Sequence, residues 1–233
     1  MNDLQTILSK FNLNISSNPM GTDKGDFKSY VDLYYSQKFL KFKNSQVSLL
    51  EIGIRHGASI KLWTEYFSEG KIFGIDNLSD ISLEKNSPNT NWLNHPRVKV
   101  YNNNAYLKKF VDQLHCTFDL IIDDGPHSLS SQLSCCKLYL PKLNKGGYLI
   151  IEDILRYGRV AIIFFLFHIS LKYQIRIYDF RHHLPGNDNL IIEIHSNSKH
   201  AFNFYLRICY FFYAFLYLPI EIINFFKRKV LKS

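Results

Sequence analysis

Leu50-Glu51-Ile52-Gly53-Ile54-Arg55-His56-Gly57-Ala58-Ser59 is an apolar run that closes on an acid and opens into a glycine loop. That is the pattern of a buried strand passing into a helix through a nucleotide-type turn. A dinucleotide loop needs G-x-G-x-x-G, because its middle glycine lets the backbone approach a pyrophosphate. Arg55 stands at that position here, so the dinucleotide fingerprint fails. A cofactor without phosphate asks only for a tight turn and room beside it, which Gly53 and Gly57 supply. S-adenosylmethionine is such a cofactor, with Glu51 at the strand end to hold its ammonium or to fix the loop. Asp76, in Gly74-Ile75-Asp76-Asn77, then falls at the tip of the second strand, where a carboxylate can accept both ribose hydroxyls. The competing reading of Asp76 is a cap on the following turn.

Outward from this loop, apolar runs alternate with helix-like segments, the signature of a parallel sheet covered on both faces. Strands are expected over 47–52, 72–76, 98–101, 118–124, 148–152, 174–180 and 189–195, and helices over 59–67, 105–114, 129–140 and 155–171. Gly146-Gly147 is expected to turn the chain into the fifth strand. The last two strands leave no room for a helix between them, so they form an antiparallel pair at one edge. The fold class is therefore α/β: a Rossmann-like, seven-stranded, mostly parallel sheet with an antiparallel edge and helices on both faces. Residues 1–45 read as a helical segment on the substrate side, 46–198 as the cofactor domain and 199–233 as an apolar, basic tail.

Composition narrows the classes. The net charge is +8, but residues 199–233 hold Lys199, Arg207, Lys227, Arg228, Lys229 and Lys232 against Glu221, a local +5. The body keeps about +3, too little for a basic face along a phosphate backbone, so nucleic acid is not an expected partner. Cys116, Cys135, Cys136 and Cys209 lack C-x-x-C spacing, which argues against a zinc site or a disulfide framework. No basic segment followed by an apolar one opens the chain, and a cytoplasmic location is expected.

A second set of acids sits on the other half of the sheet. Phe118-Asp119-Leu120-Ile121-Ile122-Asp123-Asp124-Gly125-Pro126-His127 ends the fourth strand, and Gly147-Tyr148-Leu149-Ile150-Ile151-Glu152-Asp153 ends the fifth. Neighbouring strands lie about 4.8 Å apart, so Asp124, Glu152 and Asp153 can converge. Three carboxylates so close repel one another, and a divalent cation relieves that repulsion. Oxygen ligands point to Mg²⁺ or a similar hard ion. His127, three residues past Asp124, is the expected general base for a hydroxyl made more acidic by the ion.

With these residues the chain resembles the metal-dependent sugar O-methyltransferases of the macrocin and mycinamicin type, a group whose relatives include cephalosporin hydroxylase-like proteins. The matching pieces are Gly21-Thr22-Asp23-Lys24-Gly25 with Tyr30, the loop from Leu50 to Ser59 with Trp63, and Ile122-Asp123-Asp124-Gly125-Pro126-His127. Gly146-Gly147 leading into Glu152-Asp153 and Asp179-Phe180-Arg181 before Asp188-Asn189 complete the set. The resemblance implies Asp124, Glu152 and Asp153 as metal ligands and His127 as base. The expected cofactor-binding set is Glu51, Gly53, Gly57, Ser59, Asp76, Asn104 and Asp123. Two departures stand out: Lys28-Ser29-Tyr30 where a histidine commonly precedes the tyrosine, and Asn103-Asn104-Ala105 where a Gly-Asp-Gln-like stretch borders the adenine.

The tail reads ICYFFYAFLYLPIEIINFF before Lys227-Arg228-Lys229. Pro219 and Glu221 interrupt a run close to the roughly 20 residues a span needs, so an interfacial anchor on an anionic inner leaflet is the expected use. The alternative is a helix packed on the domain or on a second copy in a homo-oligomer. The expected function is an S-adenosylmethionine-dependent, Mg²⁺-assisted O-methyltransferase of a sugar hydroxyl in a glycan or glycolipid precursor. A phenolic or natural-product hydroxyl, and a non-catalytic tethered subunit with the same fold, are the alternatives.

Overall fold

The computed structural model describes residues 3–78, 92–155, 173–182 and 188–196, with Arg159, Ile163 and positions 212, 215, 216, 219 and 223. Seven strands form one sheet: β1 Ser48–Ile52, β2 Lys71–Asp76, β3 Val98–Asn102, β4 Phe118–Asp123, β5 Leu143–Ile151, β6 Gln174–Asp179 and β7 Leu190–His195, in the order β3-β2-β1-β4-β5-β7-β6. β1 to β5 run parallel, and β7 is antiparallel to both β5 and β6. The order reverses between β1 and β4, which opens a crevice beyond their carboxyl ends.

Successive side chains of a strand face opposite sides, so an apolar strand in the middle of a sheet feeds two cores. Leu49, Leu120, Ile122 and Ile150 join one core, and Leu50, Ile121, Leu149 and Ile151 join the other. The first core is covered by α1 (Asp3–Lys10), by the segment from Tyr30 through α2 (Ser36–Phe39) and by α3 (Ala58–Tyr66). The second is covered by α4 (Lys108–Asp112) and α5 (Leu129–Tyr139), where Cys135 and Cys136 are buried free thiols.

The expected strands are all present, with bounds shifted by a residue or two except in β5. That strand begins at Leu143, and Gly146 at φ +82° lies inside it, at a register shift between Phe118 and Leu120 of β4. The glycine pair is therefore a bulge, not a turn. A side chain at Gly147 would meet the Asp119 carbonyl oxygen at 2.7 Å. The helix expected over 155–171 lies largely outside the described residues, with Arg159 and Ile163 helical. Cys209 and most of the tail also lie outside them.

The first-core face carries an unusual load. Glu51 pairs with Ile122, Ile122 with Ile150, and Ile150 with Glu193, so two glutamates share one row of that face. Glu152 projects to the same side, two residues past Ile150. Buried carboxylates must be met by donors, and for Glu193 and Glu152 the covering segment supplies them. A wide helical turn over Val31–Tyr35 brings Tyr34 to Glu193 at 2.8 Å and Tyr35 to Glu152.

Candidate functional site

The crevice at the switch point is a cleft of about 580 Å³, within the usual range for a small-molecule site. Gly53, Ser59, Asp76 and Asn104 line one stretch of it, and Asp124 and His127 line another, with Gly21, Thr22 and Asp23 from the N-terminal segment. Gly53 has φ +82°, and a side chain there would strike the main-chain carbonyl of Asp124. Its need for glycine comes from the chain itself, because the loops after β1 and β4 lie against each other. Gly57, also at φ +82°, has its open side filled by Leu93, 3.0 Å from the place of a β-carbon.

The Asp76 carboxylate accepts backbone N–H bonds from Ile54 at 2.9 Å, Arg55 at 3.1 Å and Leu78 at 2.7 Å. It ties the loop after β1 to the turn after β2, so the turn-capping role is real, and Asp76, with acceptor capacity beyond these three bonds, lines the cleft. Asn104 accepts from the Tyr106 N–H at 2.9 Å. Glu51 and Asp123 do not share this wall. Glu51 is fully buried, with the Lys24 ammonium 3.5 Å away and Ser59 beside it. Burial pushes Glu51 up to about 7, against the pull of Lys24. Asp123 pairs across with Ile52 and Ile151 of the second core, where the Tyr106 hydroxyl donates to it at 2.6 Å. Burial pushes Asp123 up to about 6, with the Tyr106 hydrogen bond opposing.

At the other wall, ligand atoms of Asp124, His127 and Asp153 lie within 4.8 Å of one another. His127 Nε2 is 3.6 Å from Asp124 Oδ1 and 3.7 Å from Asp153 Oδ2. Two carboxylates and an imidazole at this spacing form a donor set that fits a small divalent cation. His127 and Asp153 both take left-handed backbone, at φ +51° and +53°, a conformation that costs non-glycine residues energy and clusters at functional sites. Arg159 holds the main-chain carbonyl of His127 at 2.7 Å.

Glu152, expected beside them, is not part of this group. One of its oxygens accepts from Lys24 at 2.6 Å and the other from the Tyr35 hydroxyl. Burial pushes Asp124 and Glu152 upward, opposed in each case by Lys24. Burial draws Lys24 down, yet Asp124, Glu152 and Glu51 together outweigh it and hold the ammonium well above the ordinary lysine value. Sequence reasoning assigned no role to Lys24, Tyr35 or Tyr106. A lysine is among the last residues expected to be fully buried, and the only signal was its place in Gly21-Thr22-Asp23-Lys24-Gly25.

Residues 50–154 match a family model described as a methyltransferase domain. The chain is 28 % identical over 140 residues to the 8-demethyl-8-(2-methoxy-alpha-L-rhamnosyl)-tetracenomycin-C 3'-O-methyltransferase of Streptomyces olivaceus, covering 57 % of this chain and 34 % of that protein. It is 26 % identical over 143 residues to the mycinamicin VI 2''-O-methyltransferase of Micromonospora griseorubida, covering 57 % and 33 %. The chain thus spans about a third of the length of these relatives. Among solved structures, the MycE methyltransferase of the mycinamycin biosynthetic pathway, in complex with Mg and SAH, aligns with a TM-score of 0.62 at 20 % identity, covering 86 % of this chain and 56 % of that one. An O-methyltransferase from Bacillus cereus, in complex with SAH, aligns at 0.54 and 14 % identity, covering 83 % and 89 %. The fold is that of the class I methyltransferases.

Proposed function

We propose that this chain, built on a class I methyltransferase fold, moves a methyl group from S-adenosylmethionine to a sugar hydroxyl with the help of a divalent cation such as Mg²⁺. One observation carries the reading: Asp124 and His127, which group closely with the buried Asp153, line the same cleft as Gly53, Ser59, Asp76 and Asn104. The curated relatives named above are O-methyltransferases of sugar-bearing natural products, which supports a sugar as the acceptor. The place in glycan or glycolipid precursor synthesis is the finer part of the proposal.

When bound, S-adenosylmethionine supplies an electrophilic methyl and the cation polarises the acceptor hydroxyl. Asp76 and Asn104 orient the cofactor from one wall. Asp124 and Asp153 would hold the cation, each through the oxygen that faces His127. Nε2 of His127 takes the hydroxyl proton as the oxygen attacks, and the backbone that carries the ring is held by Arg159 at the His127 carbonyl. Methyl transfer is an in-line displacement, so these positions supply proximity and orientation more than covalent chemistry.

Peripheral membrane contact through the tail is a further part of the proposal. Phe215, Leu216 and Ile223 are helical and 70 %, 66 % and 54 % exposed. No helix among the described residues is long and apolar enough to cross a membrane. Exposed apolar side chains in a stretch followed in sequence by Lys227-Arg228-Lys229 support peripheral contact with an anionic leaflet. Recovery of the whole protein in the soluble fraction at low salt without detergent would remove this part.

The activity is tested by incubating the protein with methyl-labelled S-adenosylmethionine and a panel of glycan, deoxysugar and phenolic acceptors, with Mg²⁺ or chelator. Label in a sugar product that disappears with chelator is expected. Label only in phenolic products would replace the acceptor class, and no transfer to any acceptor would leave the fold without the activity.

A further inference from the structure

Each carboxylate beside His127 has one oxygen turned toward the ring and one turned away, and the oxygens turned away are held by residues of a single short stretch. Asp124 Oδ2 lies 2.5 Å from the Lys24 ammonium, while its Oδ1 faces His127. Asp153 Oδ1 lies 3.3 Å from the Lys28 ammonium and accepts from the Tyr30 hydroxyl at 2.6 Å, while its Oδ2 faces His127. Lys28 also reaches Asp188 Oδ2 at 3.0 Å and Asn189 Oδ1 at 3.1 Å, so it joins the end of β5 to the entry of β7. Ser29, at φ +51°, turns the chain between Lys28 and Tyr30, and both side chains meet the same Asp153 oxygen.

We infer that Lys24 and Lys28 are positioning residues of the cation site, each fixing one oxygen of a ligating carboxylate so that the other is presented beside His127. This rests on the cation-assisted function proposed above. The site is then discontinuous: residues 24–30 complete a group whose ligands come from the ends of β4 and β5.

Two effects of losing a lysine compete. Removing a positive charge beside the site lessens repulsion of a divalent cation and favours tighter binding. Removing the donor also loosens a carboxylate, in a site where Lys24 is fully buried and Lys28 only 6 % exposed: Asp124 Oδ2 loses the Lys24 ammonium, and Asp153 Oδ1 is left to the Tyr30 hydroxyl. Outer partners of ligating groups commonly control metal affinity by about 10–100-fold, and the geometry favours this second effect, because of the two oxygens of its ligating carboxylate each ammonium meets the one turned away from His127.

The test is calorimetric titration of Mg²⁺ into cofactor-loaded wild type, Lys24→Met, Lys28→Met and Lys28→Arg, with thermal melts to establish that each variant is folded. Mg²⁺ affinity about 10-fold or more weaker in the methionine variants, with Lys28→Arg within about threefold of wild type because its guanidinium still donates to Asp153 and Asp188, is expected. Unchanged or tighter binding in the folded methionine variants overturns the inference, since the lysines would then be structural or would merely repel the ion. Equal loss in Lys28→Arg and Lys28→Met also overturns it. Should Lys24→Met not fold, the Lys28 pair decides. A wild type that binds no Mg²⁺ removes the cation from the proposed function and this inference with it, whereas normal wild-type binding beside unaltered variants removes this inference alone.

Discussion

Replacing His127 by alanine should lower turnover by about 10²–10⁴-fold, the usual contribution of a positioned general base, and leave S-adenosylmethionine binding within about twofold. The cofactor wall is the reason for the second half: Gly53, Ser59, Asp76 and Asn104 line the cleft independently of the imidazole. The fold should survive, because Arg159 holds the main-chain carbonyl of residue 127 rather than its ring. His127 also sits among the candidate ligands, and a second substitution separates the two roles. His127→Asn keeps an oxygen donor for a cation but no proton acceptor of comparable basicity. A base predicts that asparagine is about as slow as alanine, whereas a ligand predicts substantial recovery. Single-turnover rates across the two variants measure this, and a wild-type-like rate in either would remove His127 from the chemistry.

The second large effect is expected from Asp124→Asn. A bound cation acting as a Lewis acid contributes several kcal/mol of stabilisation, which corresponds to about 10²–10³-fold in rate. Chelator should slow the wild-type enzyme by a similar factor. The informative outcome is non-additivity: the variant should be slow already, and chelator should slow it little further. Asparagine preserves the shape of the side chain and an oxygen toward Lys24, which lies 2.5 Å from Asp124 Oδ2, so packing at the loop after β4 is retained. A variant that remained fast and chelator-sensitive would show that the cation is held elsewhere.

The central strands were legible because a covered parallel sheet has only one arrangement of buried apolar runs that ends in acids at one edge. Ile52 to Gly53, Ile122 to Asp124 and Ile151 to Asp153 each mark a strand passing into the crevice, and β1, β4 and β5 are neighbours. Alternation along a strand also carried information that was not used. Asp123 and Asp124 face opposite sides, which is why one lies under Tyr106 among the second core and the other reaches Lys24 and His127. Glu152 and Asp153 do not part in this way, because Asp153, at φ +53°, meets Tyr30 of the same covering segment whose Tyr35 meets Glu152. The sequence does not disclose the donors, since those come from a segment about a hundred residues earlier, whose path depends on a wide turn at Val31–Tyr35 and a left-handed Ser29. Neither feature has a readable code. Gly146 misled for a related reason: glycine marks positive φ equally well in a turn and in a bulge.

Asp76 is a case in which both readings hold. Its three backbone hydrogen bonds make it a structural tie, so substituting it would disturb the loop after β1 whether or not the ribose is bound there. Loss of cofactor binding in an Asp76 variant would therefore not establish a direct contact, and the unsubstituted protein gives the cleaner answer.

Calorimetric titration of S-adenosylmethionine into the wild-type protein, in the presence of Mg²⁺ and without any acceptor, tests the central claim most directly. Saturable binding at one cofactor per chain, abolished by excess SAH as a competitor, is the result this account predicts. A protein that is folded by its thermal melt yet releases no heat and shows no saturation at any cofactor concentration would contradict it.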